Sequence, residues 1–117
     1  MNSSPQNQSS PPSFQLSEAE ASVAAEMFKA LGHPLRLRII NELSKGPIHV
    51  SELADRLEVA QPVVSQQLRI LRSAHLVSSE TVAGRAVYRI IEPHLLEMLG
   101  CLHKCFTVRR EQSQGGL

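Results

Sequence analysis

The stretch SELADRLEVAQPVVSQQLRILRSA, Ser51 to Ala74, decides how this chain is read. Ser51 has the side chain of a helix cap, and Leu53, Ala54 and Leu57 follow it at helical spacing. Glu58-Val59-Ala60 leaves room only for a tight turn. Pro62 then opens a second helix, because its fixed φ and missing N–H suit the first helical position. Val64, Leu68 and Leu71 recur at i, i+4 and i+7, so they share one apolar face. A short helix, a brief turn and a second helix make a helix-turn-helix.

The opposite face of that second helix carries the chemistry. With Val64, Leu68 and Leu71 turned inward, Pro62, Gln66, Arg69 and Ser73 point away, flanked by Gln61 and Ser65. An ordinary solvated helix face mixes Lys with Glu. This one has amides, hydroxyls and arginine, and there is no acid from Gln61 to Ser79. Gln pairs bidentately with adenine, Ser with either base edge, and Arg with guanine or phosphate. Such a face approaches phosphates without repulsion.

The chain reads outward from this centre in both directions. Residues Met1 to Gln15 are polar and Pro-rich without periodicity, which predicts a disordered tail over 1–15. Ser17 and Glu20 form a capping box, opening a helix along which Ala24, Met27, Phe28 and Leu31 recur at helical spacing and which stops at a left-handed Gly32. Pro34 starts a helix that buries Leu35, Ile39, Ile40 and Leu43 and turns Arg36, Arg38 and Glu42 outward. Lys45-Gly46-Pro47 ends it, and Ile48 to Val50 has the length of a bridging strand. Beyond the helix-turn-helix, Leu76–Ser79 and Arg85–Ile91 read as a β-hairpin turning near Ala83-Gly84, with Arg85 at its tip placed to reach the backbone or minor groove. Pro93 begins a last helix, apolar at Leu95, Leu96, Met98, Leu99, Leu102 and Phe106. The expected order is α-α-(β)-α-α-β-β-α, mainly helical, over one domain of residues 16–111 with a frayed end at 112–117.

Composition narrows the function. At 117 residues there is room for one domain, and with 3% aromatics and no Trp its core must be aliphatic. So small a domain gains stability from a partner. The net charge is only +1, yet Gln61–Ile91 holds Arg69, Arg72, Arg85 and Arg89 against Glu80 alone. Locally that is a basic surface suited to phosphate. The candidate DNA-contacting residues are therefore Gln61, Pro62, Ser65, Gln66, Arg69, Arg72 and Arg85. No apolar run spans a membrane and no signal peptide opens the chain, which reads as cytoplasmic with Cys101 and Cys105 as free thiols. An enzyme is disfavoured: there is no glycine-rich phosphate loop, no nucleophile–His–carboxylate grouping and no paired acids. A helix-turn-helix used to bind another protein is the alternative, against which the acid-free face argues.

Met27-Phe28-Lys29-Ala30-Leu31-Gly32-His33-Pro34-Leu35-Arg36-Leu37-Arg38-Ile39-Ile40 resembles the opening of the ArsR/SmtB family of bacterial repressors. So does Val50-Ser51-Glu52-Leu53-Ala54, followed by Gln61-Pro62-Val63-Val64-Ser65-Gln66-Gln67-Leu68-Arg69-Ile70-Leu71. The likeness runs from about Ser17 to Cys105. It implies a winged helix-turn-helix homodimer, joined through its first and last helices, on a palindromic operator from which an effector releases it. The wing departs from the family pattern: Glu80-Thr81 stands where two basic residues are usual, and Ala83 where Gly is usual. Wing contacts are thus expected to be weaker or differently aimed, leaving more of the affinity to the Gln61–Ala74 helix.

The same resemblance frames the effector. The thiol pair that binds arsenic or cadmium at the start of the third helix is missing, since His49 and Ser51 stand there. Glu92-Pro93-His94 resembles half of a zinc- and cobalt-binding set, with Glu for Asp, while its distal positions fall at Cys105 and Val108. Independently of the family, His94, Cys101 and Cys105 lie at i, i+7 and i+11 on one helical face. His94 and Cys105 are about 16 Å apart along one helix, so only two antiparallel chains could bring them to one ion. The candidate metal ligands, across a dimer, are Glu92, His94, Cys101 and Cys105. Imidazole and thiolate suit Zn, Cd or Cu(I), with As(III) a further thiol-seeking effector. Redox or persulfide sensing at the thiols, and no ligand at all, stay open beside it. A disulfide between i and i+4 distorts a helix, and the second-helix cysteine of redox-sensing relatives is missing. His33 and His75 read as structural, and His103 as exposed.

Overall fold

The computed structural model describes the backbone of residues 15–115 and the side chains of 15–111; nearly all of the expected 1–15 tail lies outside them. The elements are α1 (Glu18–Leu31), α2 (Pro34–Leu43), β1 (Ile48–His49), α3 (Val50–Leu57), α4 (Gln61–Ser73), β2 (Val77–Val82), β3 (Arg85–Ile90) and α5 (Leu95–Gly115). This is the expected order, and α5 continues past residue 111, where order was expected to end.

Local signals explain most of the boundaries. Ser17 accepts from the Glu20 backbone N–H while Glu20 accepts from that of Ser17, closing the capping box. The Ser17 backbone bond, and after it the hydroxyl, hold the Glu20 carboxyl below its ordinary range. Gly32 ends α1 differently from expectation. Its φ is −79°, not left-handed, and what it provides is room, because a Cβ there would lie 3.2 Å from the Phe28 carbonyl. His33 caps α2, its Nδ1 accepting from the Leu35 N–H at 3.2 Å, which makes it structural. Ser51 does not cap α3; that position falls to His49, and Ser51 lies one residue inside the helix. The last helix begins at Leu95, after a turn at Pro93-His94, and not at Pro93.

The core is aliphatic throughout. Ile39, Ile40, Leu53, Val64, Leu68, Leu71, Leu76 and Leu95 have no exposed surface. Ala30 and Leu31 join it from the end of α1. The strands form an antiparallel sheet of order β1-β3-β2, with Ile48 opposite Tyr88 and Val77 opposite Ile90. Helices α2 to α4 pack behind it, and the β2–β3 hairpin stands out beside α4 as a wing. The architecture is a winged helix-turn-helix.

Two helices keep apolar residues outside. In α1 the expected stripe is only partly buried: Met27 and Ala24 are half-covered and Phe28 is 61% exposed. In α5 only Leu95 is buried, Met98 and Leu99 are half-buried, and every residue from Gly100 to Glu111 is exposed. Leu96, Leu102, Phe106 and Val108 therefore face outward from the single chain. The reason is geometric. A helix of 21 residues is about 31 Å long and outruns the body it springs from.

Candidate DNA-binding interface

Helix α4 is held from behind by Val64, Leu68 and Leu71, all fully buried. Its rotation is thereby set, and Gln61, Pro62, Gln66, Arg69 and Arg72 are exposed on the far side with Ser65 half-covered. The candidate face from Gln61 to Arg72 is one surface.

Its four arginines are not equivalent. Arg89 pairs with Glu80, so the one acid of the wing cancels the one arginine beside it. Arg72 donates to the Ser79 hydroxyl at 3.1 Å, which ties α4 to the wing. Arg69 has no side-chain partner among the described residues. Arg85, expected at the hairpin tip to reach the backbone or minor groove, is exposed there and is held by one bond. Its guanidinium donates to the Ser51 hydroxyl at 2.7 Å. The pairing of His49 with Val87 explains this, because it sets the first turn of α3, where Ser51 lies, beside the start of β3. Because Ser51 is not spent as a cap, its oxygen is available.

A connection the sequence reading missed lies behind the face. Arg36, read as outward, is half-buried and donates through Nε to Gln67 of α4 at 2.7 Å. It also reaches the Ala30 carbonyl at 3.1 Å and the Lys29 carbonyl at 3.3 Å, where α1 ends. One guanidinium thus joins the end of α1 to the middle of α4. Arg38 and Glu42 are likewise tied, to the Leu57 carbonyl and to Lys45 and Arg56. Gln67, three residues after the buried Val64, borders the packed face, and that position was the available signal.

The effector candidates are less assembled. Cys101 and Cys105 are exposed free thiols. His94 precedes the helix, so helical periodicity does not direct its side chain, which is 81% exposed with Nδ1 3.6 Å from Glu92. The Glu92 carboxylate accepts from the His94 backbone N–H at 3.1 Å. Among the described residues no three His, Cys, Asp or Glu side chains of one chain are grouped to hold a metal. At the start of α3, His49 keeps a buried Nδ1 without a hydrogen-bond partner among the described residues. His103 is exposed, as expected.

Comparison with known proteins supplies the context. Residues 33–79, from the start of α2 into β2, match the model of the family described as bacterial regulatory protein, arsR family. The chain is 34% identical over 94 residues to the biofilm growth-associated repressor of Agrobacterium fabrum, covering 80% of each protein. It is 35% identical over 88 residues to the HTH-type transcriptional regulator NmtR of Mycobacterium tuberculosis, covering 75% of this chain and 73% of that one. Among solved structures, the transcriptional repressor BigR from Xylella fastidiosa superposes with a TM-score of 0.70 at 31% identity, over 76% of this chain and 91% of that one. A helix-turn-helix with an acid-free outer face, a matched family model across it and relatives of this identity along most of their length lead to one assignment: the chain belongs to the arsR family of bacterial regulatory proteins.

Proposed function

We propose that this protein is a homodimeric transcriptional repressor that binds a palindromic operator through α4. One α4 from each subunit enters successive major grooves, about 34–36 Å apart. Gln61, Pro62, Ser65, Gln66 and Arg69 meet base edges, while Arg72 and Arg85 meet the backbone. The single observation that carries this reading is the outer face of α4, free of acid and rigidly held by three fully buried residues. The second subunit covers α1 and α5: Val23, Phe28, Leu102, Phe106 and Val108 are each between 41% and 65% exposed. Apolar surface at that spacing on two helices fits a second copy. Among the described residues no helix is long and apolar enough to cross a membrane.

The test is the double substitution Gln66→Ala with Arg69→Ala. Losing two base contacts in each half-site is expected to weaken operator binding at least about 100-fold in fluorescence anisotropy. The circular dichroism spectrum and the sedimentation of the dimer should not change. Unchanged affinity removes α4 from the mechanism. Binding that ignores salt concentration would favour a protein partner over DNA.

For release, we propose that the effector acts at the exposed thiols of Cys101 and Cys105, with His94 and Glu92 of a second copy completing the donor set where the effector is a metal. Zinc, cadmium, copper(I) and arsenite, then peroxide and polysulfide, are titrated against the protein–operator complex. Release by one of them that is lost in Cys101→Ser/Cys105→Ser supports the reading. Release by none assigns the thiols a packing role.

A further inference from the structure

Where α4 meets the wing, the surface sinks into a concavity of about 440 Å³ lined by Ser65, Arg69, Arg72, Ser73 and Tyr88. Two guanidinium groups and three hydroxyls face it, and no carboxylate does. The pleat of the hairpin arranges this. Ser79 and Tyr88 are cross-strand partners and share a face with Val77 and Ile90, the side turned to α4. Glu80 and Arg89, which pair with each other, stand on the opposite face. The hairpin's one acid is thereby kept out of the concavity.

The donors there exceed the acceptors. Arg72 uses one N–H on Ser79, which orients the guanidinium and leaves four others. Arg69 and the Tyr88 hydroxyl have no side-chain partner among the described residues. Tyr88 is half-buried and packs against the core, so its ring is fixed and its hydroxyl is presented from a rigid wall. A cluster dominated by donors, with hydroxyls as its only side-chain acceptors and no carboxylate, matches a small oxyanion with several free oxygens.

We infer that this concavity is a seat for one backbone phosphate of DNA, in which Arg72, Ser73 and Tyr88 clasp the phosphodiester and Arg69 stands at the border with the base-reading face. The inference rests on the proposed reading of α4 as the groove-entering helix. It adds Tyr88 and Ser73 to the interface and divides its labour. Gln61, Pro62 and Gln66 face the bases, and the wing side of α4 holds the strand that bounds the groove. Such a contact sets depth and register and carries no sequence information of its own.

Three variants of the full-length protein test it: Tyr88→Phe, which keeps the packed ring and removes only the hydroxyl, Arg72→Gln, and Gln66→Ala as the base-reading control. Affinity is measured against salt for the operator and for an unrelated duplex of equal length. Salt-dependent operator binding by the wild-type protein, weakened in Gln66→Ala, upholds the α4 reading whether or not Tyr88→Phe and Arg72→Gln behave as expected. Tyr88→Phe is then expected to weaken operator and unrelated duplex by the same factor, about 3- to 10-fold. Arg72→Gln should reduce the slope of log K against log salt by about 0.9 for each seat. Replacing single operator phosphates with neutral methylphosphonates should reveal one position per half-site whose loss costs the wild type but not Arg72→Gln. Gln66→Ala, by contrast, should lower the preference for the operator and leave the slope alone. The inference is overturned if Tyr88→Phe changes neither affinity, or if it changes operator preference instead. A separate arm uses the chain's one tyrosine in the absence of Trp. Tight quenching of Tyr88 fluorescence by inorganic phosphate, together with unaltered DNA binding in Tyr88→Phe, would assign the seat to a free anion and overturn the inference.

Discussion

Helices α4 and α5 both carry apolar side chains and residues singled out for function, yet the chain treats them in opposite ways. Helix α4 spends its apolar face inside its own subunit, where Val64, Leu68 and Leu71 have no exposed surface. Helix α5 leaves Leu102, Phe106 and Val108 outside and, among the described residues, has no covering neighbour beyond its first turns. The difference separates two tasks. A reading surface needs a fixed orientation, which buried anchors provide at once. A control surface coupled to a second copy draws its order from that copy, so its donors are placed only when the dimer is. An isolated helix with no tertiary partner is marginal in water, and α5 is accordingly where the assembly and the proposed regulation would meet.

The largest way to break the comparison is to unseat α4. Leu68→Ala removes a fully buried side chain at the centre of its packed face and is expected to cost about 2–5 kcal/mol. Urea denaturation at fixed protein concentration measures it. A loss below about 1 kcal/mol would mean that α4 is not anchored as described. The matching change on α5, Phe106→Ala, should leave the winged body folded and act on the dimer instead, by about 1.5–3 kcal/mol for a side chain buried only on association. Sedimentation equilibrium should show the dissociation constant rising at least tenfold. An unchanged constant would place the partner elsewhere.

A smaller change asks whether the two regions communicate. Arg36 holds the end of α1, one of the two helices with an open apolar face, and Gln67 of α4. Gln67→Leu cuts only the second half of that link and leaves the guanidinium on the α1 carbonyls. A part-buried bond from a charged donor is worth about 1.5–3 kcal/mol. Operator affinity should fall while the dimer constant stays as it was. Gln67→Glu, which replaces the amide by a carboxylate, should retain the link and with it the affinity. Equal losses in both variants would show that Gln67 acts by touching DNA and not by holding Arg36.

What the sequence made legible follows the same division. Apolar periodicity reports a face, and the reader supplies the partner. For α4 the partner was the rest of the chain, so Val64, Leu68 and Leu71 went where their spacing put them. For α5 the partner is a second copy, and the single chain leaves that helix, with Phe28 of α1, largely uncovered. Polar residues were harder still. Arg36 looked solvated because nothing local says that a carbonyl end of α1 and an amide of α4 converge on it. Arg85 looked free at a hairpin tip because its partner, Ser51, is set by a strand register 34 residues away. Tyr88 drew no notice as one apolar residue in a strand, and its role emerged only from which side of the pleat it shares with Ser79.

The smallest effect lies in the wing itself. Val82 pairs with Arg85, so the turn has two residues, and both hold positive φ: 52° at Ala83 and 78° at Gly84. That is the conformation of a type I′ hairpin turn, which favours Asn-Gly. An alanine there carries the cost of a Cβ in the left-handed region, about 1–2 kcal/mol, whereas Asn tolerates it. Ala83→Asn is therefore expected to stabilise the protein by about 0.5–1 kcal/mol and to raise Tm by a few degrees. Gly at the same position should gain less, because it also loosens the unfolded chain. Neither change touches α5, so the dimer constant should not move. A fall in Tm for Ala83→Asn would show that the turn is not the two-residue left-handed one, and that Arg85 reaches Ser51 by another path.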